Sequence, residues 1–231
     1  MPCNHDHPWL FHRDEVDLLE EDVDEIYRVY GSQKSTDGKI DWSKLTIEQQ
    51  LIQEQIETEE RADAEFSERA DLAMLLQPQL PKYGIENEFA QYLSLRDELV
   101  VDAQRTPFYE MVFEWSQTVF ELATLFYENF PELRFPAFRV YVNVKLIPIK
   151  LSVVFEHHTH DDPLEKDFAE KECAMALLYL ERVLESLVLL AVADTKHLES
   201  CQRSGARIKQ ILKDMIARMK RHREGFERGF V

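Results

Sequence analysis

The chain has 231 residues, 45% apolar and 11% aromatic, enough for one large core, and its six glycines are too few for an all-β fold built on tight turns. Its net charge of −17 is unevenly spread: residues 196–231 carry ten Lys/Arg against four acids, +6, which leaves −23 on residues 1–195. An acidic body repels nucleic acid at long range, so nucleic acid is not the expected partner, whereas a basic end can fold back on acids or reach an acidic surface elsewhere.

The opening, MPCNHDHPWLF, has neither a basic start nor a long apolar run, so no secretory leader is expected. The longest strongly apolar helical stretch, around Leu184 to Ala193, is too short to span a bilayer. Cys3, Cys173 and Cys201 have no CxxC spacing and read as reduced thiols, which points to the cytoplasm.

In chain order, residues 1–13 are rich in histidine. Val16, Leu19, Val23, Ile26 and Tyr30 recur at helical spacing, which predicts a helix over 14–30 with Gly31 as its stop and an acidic outer face. Residues 31–44 have linker composition, so the expected organisation is an N-terminal acidic helix and linker over 1–44 and a helical bundle domain over 45–231. Thr46 with Gln49 forms a capping box for a long charged helix that Pro78 and Pro81 end. A further helix is expected from about Ile85 to Gln104. Thr106–Pro107 starts the next, and Met111, Val112, Trp115, Val119, Leu122 and Phe126 give it the wide apolar face of a core helix.

Residues 138–155 admit two readings. Phe138, Val140, Val142, Val144 and Leu146 alternate with polar residues, which argues for a strand, and the phase flips at Pro148. A kinked helix also fits, since Phe138, Val142, Leu146, Ile149 and Val153 share a helical face. Asp162-Pro163-Leu164-Glu165 is the best helix start in the chain and opens a helix to about Ala193. A last, basic helix is expected from about Arg203 to Arg223, with Ile208, Ile211, Leu212, Met215 and Met219 on its buried stripe. The fold class is therefore mainly α, a helical bundle with a short β segment at about 138–155 as the variant.

The least random chemical feature is histidine. Six of the eight fall in two windows, His5, His7 and His12, then His157, His158 and His160 beside Glu156, Asp161 and Asp162. Imidazole with carboxylate suits a divalent transition metal, but adjacent residues rarely supply three ligands alone, so His157, His158 and His160 would need distant help such as Cys3, His5 or His7. The plainer account is a polar loop before a capped helix. Glu-x-x-His, the signature of a di-metal bundle, does not occur, and the pairs Glu110/Glu114 and Glu181/Glu185 arise easily in a chain with 44 acids. Ser35 to Asp41 resembles the middle of a calcium loop, yet its ends would be Gln33 and Lys44, and lysine cannot coordinate a cation. No Gly-x-Ser-x-Gly, phosphate loop or nucleophilic cysteine context occurs. Two functions are expected from different classes. The first is an interaction or regulatory module without catalysis or cofactor, with a protein partner or a second copy. The alternative is a metal-binding protein or metal-dependent enzyme centred on residues 156–162.

Overall fold

A helix that buries every side must supply apolar residues all round, and residues 134–158 do so. The computed structural model describes residues 8–31, 42–76, 106–158, 163–191 and 195–228. Six long helices and no strand occur among them: α1 (Pro8–Tyr30), α2 (Ile47–Leu76), α3 (Pro107–Asn129), α4 (Arg134–His158), α5 (Pro163–Leu190) and α6 (Thr195–Arg228). The chain is a mainly α helical bundle. Residues expected to form the helix at 85–104 lie outside the described residues.

Helix α4 is the hub. Its largest interface is with α5, the next with α3, and α1 and α2 cover the rest. Val140, Val144, Ile147, Leu151 and Val154 are fully buried, and Asn143 and Lys145 are buried with them. This explains why the strand reading of 138–155 is not the one adopted. The alternation required Asn143 and Lys145 to face outward, but in a helix enclosed on all sides they are inside too, and period 2 loses its meaning. Pro148 sits within α4 and removes one backbone donor from its ladder.

The helix starts follow local chemistry. At the start of α2 the Thr46 N–H donates to Gln49 Oε1 at 3.0 Å, and the Gln49 N–H donates to Thr46 Oγ1 at 3.2 Å, a reciprocal capping box. Thr106 Oγ1 accepts from the Tyr109 N–H at 3.2 Å, with Pro107 in the first helical position.

The core runs through α3, α4, α5 and α6, and α1 lays Val16, Leu19 and Val23 into the same cluster. A smaller cluster joins Ile26 of α1, Leu51 and Ile52 of α2, and Phe138 and Val142 of α4. Residues on either side of the expected division at 44 thus share buried apolar surface. Helix α6 begins at Thr195, earlier than the expected 203, because Leu198 and Cys201 extend its buried stripe toward the N-terminus. On that stripe Ile208, Leu212 and Met219 are buried, while Ile211 and Met215 are half-buried. Among the described residues, no helix is long and apolar enough to cross a membrane.

Candidate functional site

Of the histidines proposed for metal, His157 alone has a described side chain. His158 ends α4 without a described side chain, and His5, His7 and His160 lie outside the described residues. The Nδ1 of His157 meets a carboxylate oxygen of Glu165, and its ring packs edge-on to Phe168 at 4.9 Å. These contacts tie the end of α4 to the start of α5. No group of three His, Cys, Asp or Glu side chains is placed to hold a metal ion among the described residues. Of the two cysteines there, Cys173 is buried and its thiol is pushed up to about 12 by loss of solvent, then by Glu170, which keeps it protonated.

The charged helix α2 docks on α4 and α5 through a half-buried polar junction. Lys150 of α4 donates to Glu59 of α2 at 2.9 Å and pairs with Glu172 of α5 at 3.1 Å. Glu172, with its side chain only 4% exposed, also meets Lys171 at 3.0 Å, and Lys171 reaches Asp63 of α2. The Tyr179 hydroxyl donates to the other oxygen of Glu59. Arg182 spans Gln55 at 2.9 Å, Glu54 at 3.1 Å and Thr58 at 3.0 Å. Burial and the Glu59 charge push the Tyr179 phenol far upward, so it stays a donor. Burial works against the charge on Lys150, but Glu172 and Glu59 outweigh it and raise the lysine overall. Tyr179 and Lys150 both hold their protons more tightly than usual, which suits a staple between helices.

A cleft of about 430 Å³ opens between α1, α3 and α4. Tyr30 of α1, Phe120 of α3 and Tyr141 of α4 line it, and the Phe120 and Tyr141 rings lie 4.7 Å apart in one wall. Lys145 lies at its inner edge, 8% exposed, with Nζ 2.5 Å from Asp22 Oδ2 and 3.9 Å from the centre of the Phe120 ring. Asp22 and Glu25 stand on the rim, both more than half exposed. Burial first, then Tyr30, Asp22 and Glu25, raise the Tyr141 phenol. The sequence reading missed this site because Lys145 entered it only as one of the polar residues alternating with the apolar ones in 138–146. The signal that could have found it is the pair Tyr141 and Lys145, four apart and on one side of a helix.

The outer side of α6 is charged in an ordered way. Arg203, Arg207, Arg218 and Arg221 are exposed on one stripe opposite Ile208 and Leu212. The lysines occupy a flank instead: Lys209 and Lys213 approach Glu181 of α5 at 2.8 and 3.9 Å, and Lys220 approaches Glu170 at 3.9 Å. Among the described residues no ion pair engages the four arginines, whereas Asp214, between them, accepts from Gln210 at 3.0 Å. Comparison of the chain with protein families, curated proteins and solved structures finds no match.

Proposed function

We propose that the protein is a non-catalytic interaction module whose bundle presents α6 to an acidic protein surface. The observation that carries this reading is the division of labour on α6. Its lysines lean on the bundle's own acids, while four arginines point outward over about 27 Å at the ordinary helical rise. Guanidinium is weakly hydrated and forked, so it suits carboxylates of a partner better than ammonium does. Asp214 in the middle of the stripe opposes a continuous run of phosphates but tolerates discrete carboxylates to either side. At physiological salt the screening length is about 8 Å, so acids of the body further off than that act only weakly on the stripe.

The test is fluorescence anisotropy with a labelled Glu/Asp-rich helical peptide and, separately, a short DNA duplex. Saturable peptide binding that weakens with salt and is lost when Arg203, Arg207, Arg218 and Arg221 are all changed to Gln supports the reading, provided Lys213→Gln leaves it intact. Tighter binding to the duplex, or peptide binding indifferent to the four arginines, overturns it.

A further inference from the structure

The cleft between α1, α3 and α4 stands apart from the arginine stripe and has a chemistry of its own. Its volume of about 430 Å³ lies within the range of small-ligand sites, about 300–1,000 Å³. Aromatic side chains line it and exposed carboxylates stand on its rim. The Phe120 and Tyr141 rings pack together in its lining, and Ile26, Val29 and Tyr30 of α1 supply the rest of its apolar surface, Ile26 buried and Val29 exposed. The internal cation shows what this lining accepts: Lys145 rests its ammonium over the Phe120 ring at 3.9 Å while Asp22 neutralises it at 2.5 Å. With Lys145 matched by Asp22, Glu25 remains as rim charge, and its only described partner is Arg28, an exposed pair at 3.1 Å that is easily exchanged.

We propose that this cleft binds an alkylammonium group, with the ammonium between Glu25 and the Tyr30 and Tyr141 rings and its alkyl stem along Ile26 and Val29. The lining sets both halves of that ligand. Two aromatic rings and a carboxylate favour a cation over a neutral group, and the two aliphatic side chains favour a hydrocarbon stem over a hydrated metal ion. Tyr141 stays a neutral phenol and adds no repulsive or attractive charge. The same group occurs on free amines and on lysine side chains of proteins.

The experiment is a chemical-shift titration of the intact protein with butylammonium, with 1-butanol as the neutral isostere, and with spermidine and a peptide acetylated only at its N-terminus, its lysine side chain free, to separate the two sources. Saturable shifts at Tyr30 and Tyr141 with butylammonium, absent with butanol, are expected. Glu25→Gln, an exposed change that leaves the core untouched, should weaken binding about two- to fivefold, and Tyr30→Leu by a similar factor at unchanged far-ultraviolet dichroism. Tighter binding of spermidine than of butylammonium identifies free amines as the source, and tighter binding of the peptide identifies a lysine side chain. The proposal is overturned if butanol binds as well as butylammonium, if no ammonium ligand saturates by 10 mM, an upper limit of roughly −3 kcal/mol in affinity, or if Glu25→Gln has no effect.

Discussion

The indole of Trp115 donates from Nε1 to the backbone carbonyl of Cys201 at 2.9 Å, and four residues further along α6 the backbone at Gly205 lies against the same ring. A Cβ added at Gly205 would stand 2.9 Å from Trp115 Cζ2 and 2.6 Å from Leu184 Cδ2. Glycine is thus what lets α6 approach α3 and α5. Gly205→Ala gains about 1 kcal/mol of helix propensity but forces a rigid ring and a leucine apart, an overpacking cost of about 1–3 kcal/mol. The expected net result is destabilisation, read as a lower urea midpoint. Ser204→Ala, on the exposed neighbouring position, should raise the midpoint slightly, by a stability gain of a few tenths of a kcal/mol. Trp115→Ala removes both the buried ring and its hydrogen bond and should cost about 3–5 kcal/mol.

Helix α1 shares the core, and its removal tests how far the division at residue 44 is a division of folding. Leu19 is 4% exposed and packs in the main cluster, so Leu19→Ala should cost about 2–5 kcal/mol. A chain of residues 45–231 loses Val16, Leu19, Val23 and Ile26 together, and its thermal unfolding should shift downward by well over the effect of Leu19→Ala. An unchanged transition in the truncated chain would mean that α1 is an appendage after all.

How much of this was legible beforehand depends on the range of the physics. The Thr46–Gln49 box and the Thr106 cap are contacts three residues long, and both stand where the sequence places them. The stripe of α6 was readable because one face of it is wet. Asn143 and Lys145 were not, since only the tertiary enclosure of α4 makes them internal. The α2 junction was equally hidden: Lys150 lies 91 positions from Glu59, and nothing local marks Glu59, Lys150 and Glu172 among so many charges. The cleft assembles Tyr30, Phe120 and Lys145 from three helices, beyond any spacing rule.

At the α2 junction the lysine sets a pH dependence. Lys150 is raised above its ordinary 10.5, so the stability it contributes is complete below about that pH and is lost as pH climbs through its higher folded value. Unfolding followed from pH 9 upward should show this loss, and Lys150→Met should flatten the profile. Glu172→Ala leaves Lys150 and Lys171 with one fewer carboxylate in a buried place, and should cost about 3–5 kcal/mol. Combining it with Lys150→Met should recover a large part of that loss, since an apolar pair avoids the burial of unmatched charge. If the double variant is merely the sum of the singles, the two side chains are not coupled.

On α1 the opposite sign holds for an acid. Glu20 is raised by burial, then by Asp17 and Asp24, which lie three and four residues away on the same helix, while Lys150 partly offsets them. A carboxyl whose folded value is raised costs stability when ionised, and that cost is relieved as pH falls through its folded value. Glu20→Gln should therefore stabilise the protein at neutral pH by a few tenths of a kcal/mol, the usual size of a like-charge helix pair, and the gain should shrink toward pH 4. Constant stabilisation across that range would assign the effect to something other than charge.

The attachment of α6 weighs apolar burial against charge. Met215 is half-buried and packs against the main core beside Leu212, whereas Lys213 has half its side chain exposed and stands 3.9 Å from Glu181. An exposed ion pair contributes about 0–1 kcal/mol, and burying an unpaired carboxylate costs several times that. Met215→Asp should release the distal part of α6, seen as a loss of helical dichroism and faster amide exchange beyond Leu212, and Lys213→Glu should change stability by less than about 1 kcal/mol. Salt offers an independent check. Raising it from about 0.05 to 0.5 M shortens the screening length roughly threefold, which should leave α6 in place if the stripe of Ile208, Leu212 and Met219 holds it. Loss of the helix in high salt, or a larger effect from Lys213→Glu than from Met215→Asp, would assign the attachment to the ion pairs with Glu181 and Glu170 instead.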